Sequence, residues 1–218
     1  MKILIINTET KLTWDIKKYL ETKGHTVELL IIDYLNNIND DKNLLDRLVN
    51  ANYKKNIIYN TDLVIYLFQF KLIEENTINK KNIIFSTLFP YKWCSLFNKT
   101  NIKRIILGSS LNLYDRYPCN LIIDEQWNPV PSPNDSSLLT LLFENTFKEF
   151  AREGPVSVVC LRFNLKEIEL EPNIAMSAIN KSILLKDKIP GYRWQIYNIS
   201  KNLRYGTRHA KLFLKWDK

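Results

Sequence analysis

Lys103-Arg-Ile-Ile-Leu-Gly-Ser-Ser-Leu-Asn-Leu-Tyr114 is the stretch from which the rest of the chain is read. A short apolar run, Ile105 to Leu107, lies between a basic start and a Gly-Ser-Ser turn. A continuous apolar run of this length, rather than an alternating one, is the pattern of a strand buried on both faces of a parallel sheet. Its turn delivers two hydroxyls, Ser109 and Ser110, to the carboxyl end, the edge where open α/β sheets bind ligands. A Ser-Ser pair after a strand is also an ordinary turn. The hydroxyls therefore gain functional meaning only from the groups that face them.

Working outward, Lys2 to Ile6 predicts a strand. Leu12 to Lys23 predicts an amphipathic helix with Leu12, Ile16, Tyr19 and Leu20 at helical spacing, capped by Thr10 or Thr13 and ended by Gly24. Thr26 to Ile32 is a second strand, ending at Asp33. Residues 36–55 are polar and predict a surface connection with one short helix. Thr61 to Phe68 and Val156 to Phe163 predict further buried strands. Asn82 to Asn98 predicts a helix that Pro90 kinks or delays. Within it Trp93, Leu96 and Phe97 read as core. Ser136 to Glu153 is a strongly periodic helix, with Leu138, Leu139, Leu142, Phe143, Phe147 and Phe150 as its apolar stripe. Ile174 to Leu185 predicts a helix and Tyr192 to Ser200 a strand. Strands alternating with helices predict a mainly parallel sheet covered on both faces, joined by right-handed crossovers.

The 218 residues predict one domain, with 1–163 as its core and 164–218 as a smaller C-terminal part; 45% of residues are hydrophobic, ordinary for a globular protein. No apolar run is long enough to span a bilayer, no leader precedes the first strand, and the expected location is cytoplasmic. Cys94, Cys119 and Cys160 are scattered and odd in number, and read as reduced thiols. With only His25 and His209 besides, a metal site is not expected. The net charge of +8 would suit an anionic partner, but the lysines are spread along the chain rather than gathered into a stripe, so a nucleic-acid partner is not expected.

The sequence resembles the extended short-chain dehydrogenase/reductases, the NAD-dependent nucleotide-sugar epimerases and dehydratases. Their I/V-x-x-S-S-x-x-x-Y-G segment resembles Ile106 to Asp115, with Ser110 on the catalytic Ser or Thr and Asp115 on the final glycine. Their first strand, glycine turn and helix align without a gap from Lys2 to Val27, but Asn7, Thr10 and Thr13 stand where that family has its three glycines. Those glycines permit a tight turn, a close approach to the pyrophosphate and close helix–strand packing. Asp33 falls near the ribose-binding acid, and equally reads as a strand-ending residue that starts a turn. Phe68-Gln-Phe70 follows the third strand where the family has small residues. The family's catalytic Tyr and Lys, four residues apart, fall on Asn134 and Leu138 when anchored on Ser132-Pro133, or on Asp135 and Leu139 one residue later. Neither register restores the pair. Arg162 and Asn164 resemble a substrate-side L-R-x-x-N motif, although an Arg at a strand end also pairs with surface carboxylates. The tail Thr207 to Trp216 is similar to the family's closing T-x-x-A-x-x-x-L-G-W, with Lys215 for its glycine.

The resemblance implies a Rossmann-like doubly wound sheet with a reduced C-terminal substrate subdomain, in a chain shorter than its relatives. It implies NAD or NADP as cofactor, with Asn7, Thr10, Thr13 and Asp33 at its site. It implies a nucleotide-sugar ligand, with Ser109, Arg162 and Asn164 on the substrate side, and a homodimer or a heteromer with a full-length relative. The missing glycines, Tyr/Lys pair and substrate-domain length point to a degenerate member without classical hydride transfer, acting as a binding or partner subunit. The alternatives are an active enzyme in which Tyr114, Tyr117, Asp124 or Glu125 supplies the acid or base, and a basic nucleic-acid-binding module.

Overall fold

In β1 (Lys2–Asn7) side chains alternate between two interiors: Leu4 and Ile6 enter one apolar cluster, Ile3 and Ile5 the other. A strand does this only where both faces of its sheet are covered. The computed structural model describes residues 1–32, 57–67, 78–185 and 193–217. Among these, β1, β2 (Thr26–Ile31), β3 (Leu63–Tyr66), β4 (Arg104–Ser110), β5 (Ser157–Phe163) and β6 (Trp194–Ile199) form one sheet in the order β2-β1-β3-β4-β5-β6, with every pair parallel. The strand over Ile105 to Leu107 is central, and all seven residues of β4 are buried. The fold is an α/β Rossmann-like sheet with helices on both faces. Residues after 163 add β6 to this same sheet. Asp33, the connection over 36–55 and Phe68 to Phe70 lie outside the described residues.

The helices begin where side-chain caps satisfy their free amides. Thr10 caps α1 (Lys11–Thr22) by accepting from the Thr13 N–H, and Gly24, at φ +81°, closes it in the left-handed conformation that glycine adopts without strain. Asn79 caps α2 (Lys80–Ser86), and Asp135 caps α4 (Ser136–Glu153). The single kinked helix expected over Asn82 to Asn98 is two helices, α2 and α3 (Leu88–Phe97), which meet at Thr87. Pro90 sits in the first turn of α3, where its missing N–H costs no hydrogen bond, so it does not make the break. α5 (Leu165–Leu170) and α6 (Pro172–Leu184) follow β5.

Residues of α2, α3 and α4 pack on the face that carries Leu4, Ile105 and Val158. α1, α6 and the C-terminal Ala210, Leu214 and Trp216 pack on the face that carries Ile3, Ile106 and Val159. This placement corrects the expected uniform handedness. The chain steps in the same direction from β4 to β5 and from β5 to β6, yet α4 and α6 lie on opposite faces. The last crossover therefore has the opposite hand to those through α1, α3 and α4, against the general right-handed preference. One consequence is positional: α6 lies beside α1, and α5 is carried toward the carboxyl end of β1.

Candidate functional site

The strand order reverses at β1, which has β2 on one side and β3 on the other, and open sheets of this kind bind ligands in the crevice beyond that point. There the chain forms a cleft of about 260 Å³. It lies between Asn7 and Thr8, the first turn of α1 with Thr10, Lys11 and Asp15, and a wall from α5 that presents Leu165, Ile168 and Glu169. Three of the four residues expected at a cofactor site, Asn7, Thr10 and Thr13, are joined here by hydrogen bonds. The Asn7 Nδ2 donates to Thr13 Oγ1 at 2.8 Å, and Thr13 Oγ1 donates to the Thr8 carbonyl at 3.0 Å. Because the Thr13 proton is thus committed, Thr10 Oγ1 donates to Thr13 Oγ1 at 2.8 Å while accepting from the Thr13 N–H at 3.2 Å. Together these residues make a small polar lattice at the turn. One acceptor is left over: the Asn7 Oδ1 is buried without a hydrogen-bond partner among the described residues.

The two serines after β4 have other employment. Ser109 Oγ donates to Glu144 Oε1 on α4 at 2.5 Å. Ser110 caps the 3-10 turn Leu111–Tyr114 by accepting from the Asn112 N–H at 3.1 Å. Arg162, opposite Ser109 in the β4–β5 register, grips Glu144 with two bonds, Nε to Oε1 at 2.9 Å and Nη2 to Oε2 at 2.6 Å. Its third nitrogen donates to the Tyr114 hydroxyl, and its guanidinium lies 5.1 Å from the Tyr114 ring centroid. Both charged side chains are 5% exposed or less. The partner of Arg162 is therefore a buried carboxylate, where the sequence offered a ligand or a surface acid. Burial pushes the Tyr114 hydroxyl pKa up, outweighing the Arg162 charge that favours the phenolate. Burial also raises Cys160, with the Glu144 carboxylate adding to it.

Asn164, the third residue expected on the substrate side, donates to Glu167 Oε1 at 3.0 Å. The same carboxylate accepts from Ser200 Oγ and the Lys201 N–H, tying α5 to the end of β6. At the start of α4, Asn134 is exposed and Leu138 half-buried. The buried face of α4 carries Ser136, Thr140 and Glu144, four residues apart in turn, and Asn112 Nδ2 reaches Ser136 Oγ at 3.3 Å. Thus the structure brings Ser109 and Arg162 together through Glu144 and places the Asn7–Thr10–Thr13 group elsewhere on the same edge. Glu144 was missed because the periodicity of the helix emphasised its apolar stripe. The available signal was an Arg inside an otherwise apolar strand, which requires a buried acid somewhere in the chain.

A parallel doubly wound sheet with its crevice at the β1/β3 reversal places the chain in the Rossmann-like class of α/β folds. Among solved structures the fold matches nucleotide-sugar epimerases. A UDP-glucuronic acid 4-epimerase from Bacillus cereus, in complex with NAD, is 12% identical with a TM-score of 0.70 over 100% of this chain and 91% of that one. A UDP-glucose 4-epimerase from Thermotoga maritima, with UDP-glucose, is 13% identical with a TM-score of 0.70 over 100% and 93%. A UDP-N-acetylglucosamine 4-epimerase from Bacillus cereus is 13% identical with a TM-score of 0.69 over the same shares. Neither a protein-family profile nor a curated protein sequence matches the chain at a significant level.

Proposed function

We propose that the chain keeps the dinucleotide-fold architecture without hydride transfer, and that it binds a nucleotide or nucleotide sugar as a binding or partner subunit. The observation that carries this reading is the Ser109–Glu144–Arg162–Tyr114 group. Proton exchange with a substrate hydroxyl needs a side chain near its pKa within hydrogen-bond reach. Here the groups that face β4's carboxyl end are consumed by one another. The face of α4 turned toward them carries Ser136 and Thr140, which cannot replace a Tyr and Lys four residues apart. Tyr114, a substitute acid or base in the alternative enzymatic reading, is buried, raised in pKa and engaged by Arg162.

The cleft at β1 supports the binding half of the proposal. The N-terminus of α1 favours a phosphate through its free amides and dipole, with Lys11 adding a charge. The orphaned Asn7 Oδ1 calls for a donor, which a ribose hydroxyl or a base amino group supplies. The described cavity lies just below the roughly 300–1,000 Å³ of small-molecule sites, so its walls suit one nucleotide better than two. Thermal unfolding with NAD, NADP, their reduced forms and UDP-, GDP- and dTDP-sugars tests this. The expected result is a dose-dependent rise in Tm with a nucleotide or nucleotide sugar, and no turnover. Oxidation or reduction of a bound dinucleotide during turnover would overturn it, as would the absence of any shift.

A further inference from the structure

Away from the β1 cleft, the same edge of the sheet carries a second cavity, of about 350 Å³, at its β6 flank. It is lined by Asp124, Glu125 and Gln126 from the loop before α4 and by Arg208, His209, Leu212 and Phe213 from the C-terminal segment. Glu125 is the unusual member. Its side chain is 2% exposed, and its Oε1 accepts the Asn198 N–H of β6 at 3.0 Å. Its Oε2, also buried, has no hydrogen-bond partner among the described residues. His209 Nδ1 lies 3.8 Å from it, beyond hydrogen-bond range.

A buried carboxylate oxygen without a donor is among the costlier arrangements in a protein. Nothing in the fold requires it, because Oε1 alone secures β6. Around Oε2 the chemistry is that of acceptors. Neutral imidazole has one lone-pair nitrogen, and the Nδ1 facing Glu125 can be that acceptor. Asp124 adds a second carboxylate to the lining, with its Oδ1 occupied by the Gln126 N–H at 2.9 Å. Arg208, the cation of the group, is exposed. Leu212 and Phe213, roughly half exposed, supply an apolar wall. Phe213 is fixed against His209 in an edge-to-face contact at 5.6 Å. Among the described residues no group of three or more His, Cys, Asp or Glu side chains could hold a metal ion, so an inorganic cation held by such ligands is not indicated.

We propose that this cavity is a binding site for a small organic primary amine, whose ammonium group donates to Glu125 Oε2 and whose apolar stem lies on Leu212 and Phe213. An ammonium carries three donors, enough to serve Glu125, Asp124 and His209 at once. A charge-assisted bond to the buried carboxylate is the strongest of these. Burial raises the Glu125 pKa, and a bound cation would bring it back down. The competing occupant is internal: His209, once protonated, could itself move onto Glu125.

The test uses phenethylammonium as probe and phenethyl alcohol as its uncharged counterpart, with calorimetry and thermal unfolding at pH 8. Saturable binding of the amine with a rise in Tm, and none with the alcohol, is expected. Glu125→Gln keeps an oxygen for the Asn198 N–H and removes the charge. It should weaken amine binding at least about tenfold, the loss of one charge-assisted bond. A second readout does not depend on that variant folding. The chain has two histidines, so the amine should move the ring signals of His209 and leave those of His25 in place. Equal binding of the alcohol, undiminished binding by Glu125→Gln in a folded protein, or unmoved His209 signals would each overturn the proposal. A stabilisation that appears only at acid pH and without the amine, and is lost in Glu125→Gln, would assign Glu125 to His209 and overturn it as well. None of these outcomes depends on the nucleotide cleft.

Discussion

At the end of β1 the chain leaves a cleft with an orphaned amide oxygen, whereas at the ends of β4 and β5, on the same edge of the sheet, it closes Ser109, Tyr114, Glu144 and Arg162 on one another. The first region has polar groups to spare and space beside them. The second has satisfied its polar groups internally and has no capacity for a visitor. In an open α/β sheet both positions belong to the ligand-binding edge. Under the proposed function, the difference separates two properties that fold alone would merge: binding is assigned to the β1 end, and at the β4 end a buried ion pair stands where proton chemistry was expected.

That comparison breaks most sharply at Glu144. If the cluster is structural, Glu144→Ala leaves Arg162 as an uncompensated buried charge and should cost about 3–5 kcal/mol, read from urea unfolding. Arg162→Met should cost a similar amount. The double variant Glu144→Met/Arg162→Met, with both charges gone, should recover most of the loss. A single variant with near-native stability would show that the pair is dispensable and would reopen the edge to a ligand.

Arg104 supplies a control at the opposite end of β4. It donates to the carbonyls of Ser182 at 3.1 Å and Leu185 at 2.5 Å, closing the C-terminus of α6, and to Ser157 Oγ at 3.2 Å. Arg104→Ala removes these bonds to two carbonyls and a hydroxyl. The expected cost is about 1.5–3 kcal/mol by the same measurement, below that of Glu144→Ala. At the β1 cleft the effect should be smaller again. Thr10→Ala removes an N-cap and should cost about 1 kcal/mol, while Thr10→Gly should cost only a few tenths. If the cleft binds a phosphate, the same Thr10→Ala change should also alter the nucleotide-induced rise in Tm, while leaving the Glu144-dependent part of the stability unaltered.

The fold was legible in sequence because its signals are local and repeated. The alternating side chains of β1, the Thr10 cap, the Gly24 stop and the stripe of α4 each follow from the spacing of a few neighbouring residues. Break points were less legible. Pro90 drew attention to itself, but a proline in a first turn is harmless, and the chain turns at Thr87 instead. The hand of the last crossover was not legible at all, since it depends on which face α6 covers, a choice made by the completed core. At the candidate site, the residues were found but their partners were not. Ser109 and Arg162 were singled out as substrate contacts. What they touch is Glu144, 35 and 18 residues away, in a helix whose pattern advertises only its apolar residues. Pairing across a sheet is a property of register and packing, and no spacing rule within one element reveals it.

The smallest expected effect concerns Glu125, the acid at this edge that is neither open like Asn7 nor paired like Glu144. Burial raises its folded-state pKa above the ordinary carboxylate value, and the Asn198 N–H and the nearby His209 only partly offset this. The folded protein therefore holds the proton to higher pH than the unfolded chain does. Between the unfolded pKa, near 4.3, and the raised folded value, the native state binds more protons, so stability falls as pH rises through this window and is level above it. Asp115, also raised by burial, slopes the same way. Glu125→Gln carries no titrating proton. It should flatten part of that decline in urea midpoints measured from pH 4 upward, and Asp115→Asn should flatten a further part. A wild-type minus Glu125→Gln difference that instead rises through the window would place a donor on Glu125 Oε2 in solution. The carboxylate would then belong with the closed half of the edge, beside Glu144, and not with the open half.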